Sequence, residues 1–116
     1  MKKNKIALPK YYHASGFRLK VSLVDELDCH GRFNLGQSIM DIRTGLDNYQ
    51  RTETFIHECF EASLVANSFR WSDSDNHKEL FIFDHAGLSS VCQEVGRGVL
   101  DLLKANKGRR WEGEEG

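Results

Sequence analysis

The sequence predicts an α+β domain in which short antiparallel strands come first and two packed helices follow. Three observations carry that expectation. Residues 17–24, F-R-L-K-V-S-L-V, alternate apolar and polar positions with the period of a half-buried strand. Residues 48–67 and 84–105 instead space their apolar side chains three and four apart, as helices do. A chain of 116 residues is near the common size of one domain and can bury a real core.

The elements follow in order. Residues 1–14 read as a loosely held entry segment, 15–105 as the single domain and 106–116 as a polar, solvated tail. In the first strand Phe17, Leu19, Val21 and Leu23 share one face. The stretch D-C-H-G-R-F-N-L-G, punctuated by Gly31 and Gly36, reads as turns. Residues 37–43, Q-S-I-M-D-I-R, suggest a second short strand, paired with the first or lying at a sheet edge, and Gly45 closes it. Asp47 with Gln50 three positions on forms a capping box for the first helix. A polar loop over 68–78 leads to L-F-I-F at 80–83, a candidate third strand. Asp84 caps the second helix, whose apolar stripe is Leu88, Val91, Cys92, Val95, Val99, Leu102 and Leu103. Gly96 and Gly98 cost that helix roughly 1 kcal/mol each, which points to close packing at those positions.

Composition narrows the function. Hydrophobic residues make up 40% and charged residues 28%, ordinary values for a soluble globular protein. A formal net charge of −1 gives no general attraction to nucleic acid or to an anionic membrane. No apolar run approaches the ~18 residues that a membrane-spanning helix needs. Ile6, Ala7 and Leu8 are too short a run for a signal-peptide core. Cys29, Cys59 and Cys92 are odd in number and form no C-x-x-C pair, so a reducing cytoplasm is the expected compartment. Cys59 and Cys92 lie on apolar stripes and read as small buried hydrophobes. His13, His30 and His77 fall in loop-like segments and read as surface histidines.

The chemistry concentrates in F-I-H-E-C-F-E-A, residues 55–62. At about 100° per residue, Glu61, Leu64, Phe60 and Glu53 all fall within about 60° of His57. The opposite side carries Phe55, Cys59, Ala62 and Ala66, so the helix looks apolar on two sides and sandwiched between the sheet and the second helix. An imidazole and a carboxylate on a buried face are costly unless paired or bound to a metal. Glu58 lies on the flank of that face, where it can reach the edge of a cleft. Counting back along the second helix from Leu88 and Cys92 leads to His85, which should then point at the first helix. His57, Glu61 and His85 together make two imidazoles and one carboxylate, the ligand set of hydrolytic zinc sites with one position left for water.

The run T-E-T-F-I-H-E-C-F-E-A followed by D-H-A-G-L resembles the small zincin-like metallopeptidases of phages and bacteria, minimal members of the gluzincin group. It corresponds to an H-E-x-x-E variant of their H-E-x-x-H helix. The resemblance covers the order of elements over 15–105 and matches in detail at 52–62 and 84–88. It implies Zn2+ on His57, Glu61 and His85, Glu58 as general base, and a peptide or protein as substrate. Glu94 is the reserve third ligand, where a gluzincin's downstream glutamate would stand. Asp84, Asp41 and Glu94 are candidate acceptors for the outer ring nitrogens of the two histidines. No oxyanion donor stands out; Tyr49, Arg51 and His77 are the nearest in sequence. In so short a chain, a second copy or a partner protein is expected to complete the cleft. Two other readings stay open. One is a non-catalytic interaction or regulatory module that keeps this fold, with or without a structural zinc. The other is a metal-free fold in which His57 and Glu61 only hydrogen-bond each other.

Overall fold

The computed structural model describes residues 5–67, 70–73, 78–81 and 84–108. Its elements run β1 (Tyr11–Ala14), β2 (Phe17–Val24), β3 (Gly31–Asn34), β4 (Ile39–Arg43), α1 (Asn48–Ala66), β5 (Arg70–Asp73), β6 (Lys78–Phe81) and α2 (His85–Ala105). The architecture is α+β, as the sequence predicts: a four-stranded sheet, a separate two-stranded ribbon of β5 and β6, and two helices.

The sheet order is β1-β2-β4-β3, and the sheet is mixed rather than wholly antiparallel. β1 and β2 form an antiparallel hairpin, with Ala14 opposite Phe17. β2 and β4 run parallel, Val21 opposite Met40 and Leu23 opposite Ile42. The cause lies in the stretch read as turns. Residues 31–34 form β3, which reverses the chain at the sheet edge and pairs antiparallel with β4, Gly31 opposite Ile42. β4 then returns between β3 and β2, so its direction matches that of β2. Arg70–Asp73, part of the expected polar loop, forms β5 against β6, which includes Leu80 and Phe81 of the expected L-F-I-F strand; residues 82–83 lie outside the described residues.

Both helices form where their caps put them. Asp47 accepts from the Gln50 N–H at 2.8 Å while Gln50 Oε1 accepts from the Asp47 N–H at 3.2 Å, which completes the capping box. Asp84 accepts from the Gly87 N–H at 2.8 Å and starts α2.

The core gathers Tyr12, Ala14, Leu19, Met40, Ile42, Leu46, Phe55, Cys59, Ala62, Val91, Val95 and Leu102. Each large apolar side chain removed from water there contributes about 1.5–3 kcal/mol. Tyr12 is its hub. Its ring meets Phe55 edge-on at 6.5 Å, and its hydroxyl shares a 2.6 Å hydrogen bond with that of Ser63. On β2 only the middle of the expected face is covered: Leu19 is buried and Val21 partly so, while Phe17 and Leu23 are exposed at the ends.

Two expectations about α2 need correction. Its buried residues are Gly87, Val91, Val95, Gly98 and Leu102, whereas Leu88, Cys92 and Leu103 are exposed. The buried line passes through two glycines, which carry no weight in a hydrophobic pattern, so the stripe drawn from side chains alone was turned around the helix axis. Gly98 does provide close packing: a Cβ there would meet the Tyr12 ring at 2.8 Å. Gly96 provides none, with nothing within 4 Å.

The described part of the entry segment is not loosely held. Ala7 exchanges two 2.8 Å hydrogen bonds with the buried Asn106 side chain. The Ile6 N–H donates to Asn48 at 2.9 Å, and its carbonyl accepts from Arg51 at 2.9 Å. Residues 5–9 thus bind the start of α1 to the end of α2, and Asn106 belongs to the fold rather than to a tail. Residues 109–116 lie outside the described residues.

Candidate functional site

α1 buries one broad face, comprising Asn48, Arg51, Thr54, Phe55, Glu58, Cys59, Ala62 and Ser63. The predicted sandwich is therefore corrected. His57 is exposed, Phe60 is exposed, and Glu61 and Leu64 are half-buried. Apolar residues on two sides of α1 left the choice of face open in the sequence. Polar residues with partners in the fold, such as Arg51 and Ser63, decided it toward the side that meets the sheet and α2.

Glu58 is the member of the motif taken inside, at 6% exposure. Its neighbour across the cleft is the first residue of β3, Gly31. A Cβ on Gly31 would stand 2.7 Å from Thr54 Cγ2 and 3.1 Å from Glu58 Cγ, so only glycine lets the strand edge approach this closely. Two cavities adjoin this contact: one of about 290 Å³ lined by His30, Gly31, Glu53, Thr54, His57 and Glu58, and a more open one of about 340 Å³ lined by Gly31, Arg32, Phe33, His57, Glu58 and Glu61. His57 and Glu58 border both.

Within this cleft His57 Nε2 lies 3.1 Å from Glu61 Oε1 and 3.8 Å from Glu58 Oε2. The three side chains each offer a ligand atom within 4.8 Å of the others. Donors at 2.0–2.2 Å from a tetrahedral ion stand about 3.4 Å apart, so both separations fit a shared cation. One imidazole and two carboxylates so placed could hold a metal ion. The Glu58 carboxyl is pushed up to about 7, first by burial and then by the charge of Glu61, with His57 opposing. A carboxyl with that value holds or releases a proton near neutrality, which suits a general base.

The other expected participants are elsewhere. His85 is exposed as the first residue of α2 and is not part of the group. The line that led to it began at Leu88 and Cys92, both exposed; the true buried line, extended back from Gly87 and Val91, reaches Asp84 instead. Glu94 is engaged by the Asn67 amide at 3.1 Å, at the far end of α1. Asp84 caps α2, and Asp41 accepts from Arg32 Nε at 3.2 Å, so none of the three expected acceptors is bonded to His57. Arg51 is buried against the entry segment, and Tyr49 is exposed and hydrogen-bonded to Glu53. His77 lies outside the described residues.

His30, Gly31 and Arg32 were hidden from a sequence reading because D-C-H-G-R-F-N resembles a run of turns. The one available signal was the spacing of Gly31 and Phe33, which share the half-buried side of β3. Comparison with protein-family models, with curated proteins and with solved structures finds no match to this chain.

Proposed function

We propose that this chain is a metal-dependent hydrolase of the minimal zincin type, acting on a peptide bond, with His57 and Glu61 as zinc ligands and Glu58 as general base. The observation that carries the reading is the convergence of His57 Nε2, Glu61 Oε1 and the buried Glu58 carboxylate at the floor of one cleft. A bound zinc ion supplies Lewis acidity and brings the pKa of a coordinated water down toward about 7. Glu58 accepts the proton of the attacking water and returns it to the leaving amine, a role that needs a carboxylate within hydrogen-bond reach and shielded from bulk solvent. Gly31 lets the strand edge pack directly against Thr54 and Glu58, which fixes one wall of the cleft beside that carboxylate.

The two cavities are at the small end for a ligand site, which supports completion of the cleft by a second copy or a partner protein. No helix among the described residues is long and apolar enough to cross a membrane. Cys29, Cys59 and Cys92 are free thiols, and a cytoplasmic location belongs to this proposal.

The test is elemental analysis of protein purified without chelator, joined to a peptide-library digestion. About one zinc per chain and cleavage that disappears in Glu58→Gln, with zinc retained, are the expected results. Absence of zinc sinks the reading and leaves a plain His57–Glu61 pair. Zinc without cleavage by the wild type replaces hydrolysis with an interaction or regulatory module built on the same site.

A further inference from the structure

Helix α1 contributes only His57 and Glu61 as ligands in the reading above, whereas zinc centres take at least three protein ligands. We infer that His30 is the third ligand, presented from the strand side of the cleft; this rests on the metal-dependent reading of the site.

Three observations lead to His30. It lines the same cavity as Glu53, Thr54, His57 and Glu58. Its main chain is anchored, since the His30 carbonyl accepts from the Arg43 N–H of β4 at 2.8 Å. Its exposed side chain stands outside the group of atoms within 4.8 Å of one another, so the imidazole reaches the ion by a turn of its side chain. The residue that follows it, Gly31, makes the closest approach of strand to helix, with room for no Cβ against Thr54 and Glu58. The backbone is thus pressed against α1 one residue after the imidazole, which delivers residue 30 to the mouth of the cleft. Among the described residues that line either cavity, His30 and His57 are the imidazoles.

The chemistry is consistent with that placement. His30, His57 and Glu61 make a set of two imidazoles and one carboxylate, with a position left for water and Glu58 left free to act as a base. A ligand on the loop before β3 also changes what the metal does for the fold. It joins the sheet edge to α1, so binding energy becomes stabilisation of that junction.

The experiment is a zinc titration of the chelator-treated full chain by calorimetry, with His30→Ala, His57→Ala and His85→Ala beside the wild type. The ring nitrogens of the histidines are followed by NMR in the same samples. His30 is exposed, so its alanine variant folds as the wild type does. Loss of an outer-sphere partner costs zinc sites roughly 10–100-fold in affinity, and loss of a ligand costs more. His30→Ala is expected to weaken binding by more than about 100-fold. His57→Ala is expected to abolish binding and His85→Ala to leave it unchanged. The His30 ring signals are expected to move with those of His57 as zinc is added. Wild-type affinity in His30→Ala, or His30 signals that do not move, overturns the inference while the His57–Glu61 site stands. Weakening by His85→Ala in place of His30→Ala also overturns it. No binding by the wild type overturns this inference and the functional reading together.

Discussion

Gly31 and Glu58 are packed so closely that a β-carbon on residue 31 would lie 3.1 Å from Glu58 Cγ, with Thr54 Cγ2 nearer still at 2.7 Å. The edge of the sheet and the central carboxylate of α1 are therefore held at a spacing only glycine permits. Gly31→Ala is expected to push β3 away from α1 and to cost about 1–3 kcal/mol, the range for a methyl group forced into a filled space. Urea denaturation measures the loss, and a zinc titration of the same variant should show weaker binding. An unchanged midpoint would mean that strand and helix are not in contact in solution.

Glu58 makes the stability of the metal-free protein depend on pH. Its carboxyl is raised from 4.5 to about 7, so between those values the folded state keeps a proton that the unfolded chain releases. The stabilisation is fully present below the unfolded value, falls as pH rises through about 7 and is absent above. Chelator-treated protein should accordingly melt higher near pH 5 than near pH 7.5, as far as this group is concerned. Glu58→Gln, uncharged throughout, should lose that component of the slope. Thermal melts across the range decide it, and an identical slope in the variant would show that Glu58 is not desolvated.

Gly96 and Gly98, two residues apart on α2, should respond oppositely to alanine. At Gly98 a Cβ would meet the Tyr12 ring at 2.8 Å, and displacing Tyr12 disturbs both its edge contact with Phe55 and its hydrogen bond to Ser63. Gly98→Ala should cost about 1–3 kcal/mol. At Gly96 a Cβ meets nothing within 4 Å, so Gly96→Ala should gain about 0.5–1 kcal/mol from the reduced entropy of the unfolded chain. Melting temperatures of the two single variants should move in opposite directions.

What could be read in the sequence was what is local. The two helices were legible because their caps, Asp47 with Gln50 and Asp84, act within three residues. The proximity of His57, Glu58 and Glu61 was legible for the same reason, since a helix brings residues four apart together. The rest depends on non-local pairing. Four residues, Gly31–Asn34, become a strand only because β4 lies beside them, and the parallel pairing of β2 with β4 follows from that insertion. The orientation of α1 was decided by partners such as Ile6 for Arg51 and Tyr12 for Ser63, both distant in sequence. On α2 the close-packed line runs through glycines, and Leu88 and Cys92, the side chains that align with His85, face water.

Asn106 provides the last test, because it shows what the N-terminal segment contributes. Its side chain is buried, accepts from the Ala7 N–H at 2.8 Å, and donates at 2.8 Å to the carbonyls of both Ala7 and Leu102. Truncation to alanine leaves the Ala7 N–H and carbonyl without that partner in a partly buried setting, at about 1–3 kcal/mol. Because residues 5–9 also reach Asn48 and Arg51, loosening this end should be felt at the start of α1 as well. Hydrogen exchange should show faster exchange at Ala7 and Ile6 in Asn106→Ala. The amides of β4, which make no bond to this segment, should exchange as before unless global unfolding carries them. Protection at Ala7 that survives the substitution would mean that the segment is held by its apolar side chains, Ile6 and Leu8, which pack against the core.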